Sequence, residues 1–460
     1  MAKVLITTLG TGRKIDDRNY ETVKYFFQNK EETYETSFIS HALSNHLKVD
    51  KIFMIGTTKS MWEEVYRYFS RADRNPEKID IWLKLSDKIG DRNSPSTLEE
   101  DDLAVVQETI DDYLKSINPE ATGGSLCKLI AYGKNPQEIL GNFNIFMDFQ
   151  KEIQPGDEIY LDITHGFRSI PFFMYLMIDF IQTLRKDENI QLTGIFYGML
   201  EAMDKSSGLA PVVDLNPYFQ ITQWTKGIYE FTNYGNVDLL VQLLEDTELK
   251  NSMKNISDLA NLNYIKELRS QVDRLRFLLN QENGTDISSV MFSYVKPKIQ
   301  EFAEFFTGID SDAKFQYRMA EWFFKHGRYV NGFICLTESI VTHISYLYKR
   351  KLGENIDYVY YGHRKRIEKE LLENRMKNHP DPNFQEAGKL FSEIKKIRNN
   401  AAHAGYFDDA DHRAILKKID KYLKQIQSLF FENGMEKKLL EFLKQNPFKE
   451  LMNYNNKVLQ

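Results

Sequence analysis

Cysteine is nearly absent: Cys127 and Cys335 are the two in 460 residues, and they fall in no metal-ligand spacing. That excludes a disulfide framework and fits a chain made for a reducing compartment. Positive charge is not in excess either. A formal net charge of -6 argues against coating long nucleic acid through its phosphates and against a polybasic membrane-surface role. A compact site with local positive charge is still allowed. No apolar run is long enough to span a bilayer, and the longest, residues 170–181, is interrupted by Asp179. The opening MAKVLITTLGTGRK is broken by glycines and Arg13 before an apolar signal region forms. Internal repeats and low-complexity tails are lacking. The chain therefore reads as soluble and cytoplasmic, with no membrane partner.

Hydrophobic residues make up 42% and charged residues 27%, the balance of a globular protein. The length exceeds one ordinary core, so two domains are expected. Strand-like runs at residues 3–9, 51–55, 79–85, 126–132, 158–163 and 190–197 alternate with helix-like stretches at 37–47, 98–117, 136–153 and 169–184. Such alternation predicts βαβ units and a largely parallel sheet. Past about residue 200 the strand signal stops. Apolar residues then recur at three- and four-residue spacings through 237–244, 259–279, 315–324, 333–348 and 415–429. The expected fold class is α/β plus all-α: a Rossmann-like domain over 1–215, then a helical region over 216–460.

The first candidate site is the run Asp162-Ile163-Thr164-His165-Gly166-Phe167-Arg168, between the apolar strand EIYLDI and an amphipathic helix. Ser169 can cap that helix, and Pro171 is tolerated in its first turn. A short strand-to-helix turn offers backbone N–H groups to an anion, and glycine lets a phosphate approach closely. The turn Gly10-Thr11-Gly12 after the first strand offers a second such surface, and Thr57 and Thr58 follow the next strand. In open α/β sheets ligands sit beyond the carboxyl ends of strands, where all three turns fall. The bland alternatives are a tight connection at Gly10–Gly12, a capping role for Asp162 and a packed His165. Asp162 and His165 alone are too few for a metal site.

The spelling of that run, LDITHGFRSIPF, resembles the CRISPR-associated DxTHG family, as do VLITTLGTG, MIGTTKSMWEEV and AYGKNPQEIL. The resemblance spans roughly residues 1–220. It implies a CARF domain, a dimerising Rossmann-like sensor of cyclic oligoadenylate, and it favours cyclic tetra-adenylate over the hexa-adenylate. By that resemblance Gly10, Thr11, Gly12, Thr57, Thr58, Asp162, Thr164, His165, Gly166 and Arg168 hold the ligand, with Arg168 a phosphate partner through its planar donor fork. A two-fold dimer sets two copies of each turn around one axis, which suits a cyclic, repeating ligand.

The second candidate is Arg398-Asn399-Asn400-Ala401-Ala402-His403. Apolar residues at 390, 391, 394 and 397 mark a buried helical face leading into Arg398, and Gly405 supplies a helix end. On a regular helix, residues five apart lie roughly 140° apart, so Arg398 and His403 do not share a face. One protomer would hold an incomplete site, which favours a composite site between two chains. The bland alternative pairs Arg398 with a carboxylate such as Asp408 and leaves His403 at a helix corner.

The wording R-N-x-x-x-H-A-G resembles the HEPN ribonuclease motif, and HGRYVNGFICLTESI resembles the preceding core helix of that domain. CARF followed by HEPN is the layout of CRISPR ancillary ribonucleases, with residues 230–310 the least recognisable part. The implied activity is cleavage of single-stranded RNA by its own 2′-hydroxyl, with no metal and no cofactor beyond the cyclic activator. Arg398 would stabilise phosphoryl charge, His403 would move or hold a proton, and Asn399 would orient. The partners implied are single-stranded RNA, cyclic oligoadenylate and a second copy of the chain, with larger rings of dimers allowed. Two other readings stay open: a non-catalytic sensor with a partner-binding helical half, and a sensor domain that also degrades its activator.

Overall fold

The computed structural model describes residues 1–16, 19–27, 32–91, 94–165, 169–204, 206–281, 287–357, 359–403 and 411–453. The chain forms two compact units, Met1–Phe219 and Gln220–Gln460.

The first unit is built on eight strands: β1 (Lys3–Leu9), β2 (Val23–Phe27), β3 (Thr33–Thr36), β4 (Lys51–Gly56), β5 (Leu126–Leu129), β6 (Glu158–Asp162), β7 (Gln191–Gly198) and β8 (Leu209–Asp214). Their order is β3-β2-β8-β7-β6-β1-β4-β5. β1 is the switch point, paired in parallel with β4 on one side and with β6 on the other. The turns that follow these three strands therefore emerge at one edge of the sheet.

The helices are α1 (Ile39–Leu47), α2 (Trp62–Ser70), α3 (Pro76–Ile89), α4 (Ala104–Ile117), α5 (Pro136–Phe149), α6 (Ser169–Leu184) and α7 (Asn216–Phe219). β1 is buried on both faces from Val4 to Leu9, so its apolar side chains enter a core on either side of the sheet. Leu5 and Leu9 share a core with Ile39, Trp62, Val106 and Leu114, while Val4 and Ile6 share one with Phe146, Phe149, Met174 and Ile178.

Two sequence expectations are corrected here. Residues 79–85 are not a strand but the middle of α3. Pro76 at its first turn and Asn75, whose side chain accepts from the Glu77 amide at 3.1 Å, start a helix. The alternating run IDIWLKL imitates a strand, yet Ile81, Leu85 and Ile89 form one helical face toward the core. Strand structure also continues past residue 200, in β8. Pro211 lies inside it and reads as a breaker, but its carbonyl accepts from the Met199 amide at 2.9 Å. The sheet is largely parallel, as expected, with β2–β3 and β7–β8 the antiparallel pairs.

The second unit is helical: α8 (Ile221–Tyr234), α9 (Asp238–Leu243), α10 (Thr247–Leu262), α11 (Ile265–Leu279), α12 (Ile287–Glu304), α13 (Asp312–Lys325), α14 (Tyr329–Tyr346), α15 (Tyr361–Arg366), α16 (Pro382–Ala402), α17 (His412–Lys417), α18 (Ile419–Ile426), α19 (Asn433–Gln445) and α20 (Phe448–Asn453). Wider π-helical turns extend α14 over Leu347–Lys351, α15 over Ile367–Met376 and α18 over Gln427–Phe431. The apolar pattern at 259–279 serves two helices, because Asn263 turns left-handed at φ 63 and ends α10. α16 crosses the extension of α15 backbone to backbone: a Cβ on Gly388 would overlap the amide nitrogen of Lys377. Among the described residues no helix is long and apolar enough to cross a membrane.

Candidate functional site

At the edge of the first unit, the turns after β1, β4 and β6 enclose a cavity of about 290 Å³. Gly10, Thr11, Gly12, Thr57 and His165 line it, with Thr8, Leu9, Ile55, Gly56, Ser60, Ile130 and Ile170. Side-chain and backbone bonds fix its walls. Ser60 Oγ donates to the Leu9 carbonyl at 2.7 Å and accepts from the Thr57 amide at 2.9 Å, while the Met61 amide donates to the Gly10 carbonyl at 3.0 Å. Gly12 must be glycine: its φ is 62, and a Cβ there would lie 2.5 Å from the Tyr20 ring.

Asp162 and Thr164 do not line the cavity; they hold the turn that presents His165. Asp162 is fully buried and accepts from Thr7 Oγ1 at 2.6 Å and from the Thr164 amide at 2.9 Å. Thr164 Oγ1 in turn accepts from the Gly198 amide at 2.8 Å, and Thr8 Oγ1 donates to the His165 carbonyl. Burial raises the Asp162 carboxyl from its ordinary value and lowers the His165 imidazole, which is therefore neutral at neutral pH. His165 Nε2 is buried and has no hydrogen-bond partner among the described residues. A neutral imidazole with a spare nitrogen beside a cavity can give or take one hydrogen bond from a bound group. Thr58 is outside the lining; its carbonyl accepts from Ser96 Oγ at 3.0 Å. Gly166 and Arg168 lie outside the described residues. Ser60, Ile130 and Ile170 carry no local sequence signal beyond that of ordinary turn and core residues.

In the second unit α16 begins at Pro382, with the Asp381 side chain accepting from the Asn383 amide at 2.8 Å. Phe384, Ala387, Leu390, Phe391 and Ile394 face the core, which fixes the roll of the helix and so the direction of its last turns. Lys395 reaches Glu368 at 2.9 Å and Glu373 at 3.1 Å, and Arg398 reaches Glu368 at 3.9 Å. Arg398 Nε is buried without a hydrogen-bond partner among the described residues. The helix runs without a break to Ala402, with the His403 amide closing on the Asn399 carbonyl at 3.0 Å. Asn399 and His403 are exposed while Arg398 is half-buried. The carboxylate facing Arg398 is thus Glu368, thirty residues upstream, which no local pattern announces. Asp408 and Gly405 lie outside the described residues. No group of three or more His, Cys, Asp or Glu is placed to hold a metal among the described residues.

Comparison with known proteins covers both units. A family model described as the CARF domain of the CRISPR system endoribonuclease Csx1 matches residues 4–201, and one described as the second domain of CRISPR-associated protein MJ1674 matches residues 220–310. CRISPR-associated protein MJ1674 of Methanocaldococcus jannaschii is 38% identical over 470 residues, spanning 100% of this chain and 70% of that protein. Among solved structures, Enterococcus italicus Csm6 bound to cyclic hexa-2′-fluoro-hexa-dAMP aligns over 98% of each chain with a TM-score of 0.41 and 11% identity. The chain belongs to the family of CRISPR-associated protein MJ1674, with a Csx1-type CARF domain followed by a helical region.

Proposed function

We propose that this protein is a cyclic-oligoadenylate-activated endoribonuclease that cuts single-stranded RNA without a metal. The observation that carries the cutting step is the state of Arg398. Its guanidinium is half-buried, its Nε has no hydrogen-bond partner among the described residues, and its ion pair with Glu368 is long at 3.9 Å. A buried donor left without an acceptor is costly, and a phosphoryl oxygen supplies one. The name of the CARF family model, that of an endoribonuclease, supports the same reading.

The chemistry needs few groups. The 2′-hydroxyl oxygen attacks the adjacent phosphorus and the bond to the 5′-oxygen breaks, leaving a 2′,3′-cyclic phosphate and a 5′-hydroxyl. Arg398 neutralises the charge that builds on the phosphoryl oxygens. The exposed His403 takes the 2′-hydroxyl proton or returns one to the leaving oxygen, and Asn399 orients it. Arg398 lies inside an uninterrupted helix and His403 caps its end five residues on, a spacing that does not share one face, so a second copy completes the site in a HEPN-type arrangement.

In the sensor unit a cavity of about 290 Å³ has room for one nucleotide-sized group rather than a whole ring. A dimer spreads the ring over two such cavities. Helix α6 supports that dimer: Phe172, Leu176, Phe180 and Leu184 recur every four residues and are 43% to 65% exposed. Gly10, Thr11, Gly12, Thr57 and His165 would meet the ring, with Gly166 and Arg168 beside them.

The test is a fluorogenic single-stranded RNA in EDTA with cyclic tetra-adenylate, cyclic hexa-adenylate or neither. Ligand-dependent cutting that Arg398→Ala/His403→Ala abolishes is the expected result. Binding of the ring without any cutting would instead leave a sensor with a partner-binding helical half. The unpaired His165 Nε2 favours a second, compatible activity: slow cleavage of the activator by the sensor unit, read by following the ring itself in the same incubation.

A further inference from the structure

α15 carries more than the glutamate that faces Arg398. Tyr361 at its start is 69% exposed, and the preceding Tyr360 is 59% exposed. The Lys365 ammonium lies 5.2 Å from the centroid of the Tyr361 ring. Arg364 binds the Glu338 carboxylate and the Thr342 hydroxyl, the latter at 3.1 Å, and so fastens α15 to α14. Thr342 in turn lines a cavity of about 170 Å³ with Tyr346, Lys349 and Arg350. The two carboxylates on that wall are already matched: Asp312 by Arg269 at 2.6 Å, and Asp310 by Lys314 at 2.9 Å.

Charge singles this surface out. Residues 346–369 hold seven Lys and Arg against three acidic residues, in a chain whose net charge is -6. Geometry ties it to the candidate catalytic group. With about 100° of turn per residue, Tyr361, Arg364 and Lys365 fall on one face of α15, and Glu368 follows in its π-helical extension. Glu368, which Lys395 and Arg398 contact, lies seven residues from Tyr361, roughly 10 Å along the axis. Flat rings interleaved with cations are what an unpaired strand requires, since every base has a face to stack and every linkage a charge to meet. Protein interfaces are depleted in lysine, and the patch sets Lys349 and Lys365 among its tyrosines.

We infer that the surface formed by Tyr360, Tyr361 and Lys365 with Tyr346, Lys349 and Arg350 is a track for single-stranded RNA, stacking a base on Tyr361 a few nucleotides from the phosphate at Arg398. The inference rests on the ribonuclease reading, and its test does not depend on cutting. A labelled single-stranded 2′-O-methyl RNA has no attacking hydroxyl, so its binding to the full chain can be followed by fluorescence anisotropy. Tyr361→Ala weakens binding about tenfold, and Tyr361→Phe, which keeps the ring, binds as the parent does. Lys365→Ala weakens it less, with a reduced dependence on salt. Circular dichroism checks that each variant is folded. Equal binding by Tyr361→Ala and the parent overturns the track and returns the patch to a protein partner. Equal losses for the Phe and Ala variants overturn stacking as its cause. If Tyr361-dependent binding holds while unmodified RNA is never cut, the track stands and the ribonuclease reading falls. If RNA is cut but binding ignores Tyr361, the reverse holds.

Discussion

Glu368 is the residue on which the helical site turns. Two cations, Lys395 and Arg398, converge on its carboxylate, and its side chain is only 14% exposed. Removing it leaves both cations half-buried with Glu373 as the remaining carboxylate near Lys395. Glu368→Ala should therefore cost on the order of 1–3 kcal/mol, read as a lower urea midpoint. Cutting, where it occurs, should lose kcat more than it gains KM, because Arg398 loses its positioning rather than the RNA its contacts. An unchanged midpoint would show that the pairing contributes nothing. Legibility at this scale was uneven. Gly10, Thr11, Gly12, Thr57 and His165 stand at strand ends in the sequence, and the structure brings them around one cavity. Asp162 and Thr164 belong to the same turn, but their side chains satisfy neighbouring backbone and hydroxyl groups instead of lining it.

At the scale of elements, α6 has two characters. Ile170, Met174, Ile178 and Ile181 enter the core, while Phe172, Leu176, Phe180 and Leu184 look outward. A helix apolar all round is ordinarily buried all round. Leu176→Lys/Phe180→Lys should yield a folded monomer by sedimentation, with the response to cyclic oligoadenylate lost. A variant that remains dimeric would move the interface elsewhere. The element-level misreadings have local causes. α3 carries an alternating apolar run, so period alone favours a strand, and only the Asn75-Pro76 start and packing on one face reveal a helix. β8 hides behind Pro211 and the Ser206-Ser207-Gly208 turn. β2 and the edge strand β3 are short and of mixed polarity, with too few residues to establish a period.

Each unit carries a histidine withdrawn from water, the half-buried His41 and the buried His343. Burial pushes His41 and His343 down to about 4, from an ordinary value of 6.5. Both are neutral when folded, and both bind a proton near 6.5 once unfolded. Their contribution is complete above pH 6.5 and is lost as pH falls from 6.5 toward 4. Each contributes on the order of 2–3 kcal/mol across that window. Urea midpoints should accordingly fall between pH 6.5 and 4, and a flat profile would refute the assignment.

By itself the sequence determined the fold class. Strands buried on both faces read as nearly continuous apolar runs, helices repeat near every third and fourth residue, and those two patterns sort the chain into a sheet half and a helical half. It also carried the turn residues at the ends of β1, β4 and β6, because glycine and small hydroxyl side chains are needed where the backbone bends sharply. Only the tertiary structure decided that those turns share one edge, since the order of parallel strands follows from crossover packing and not from local pattern. It alone set Glu368 against Arg398. Contacts between residues far apart in the chain depend on how whole elements pack, and no short stretch of sequence encodes that.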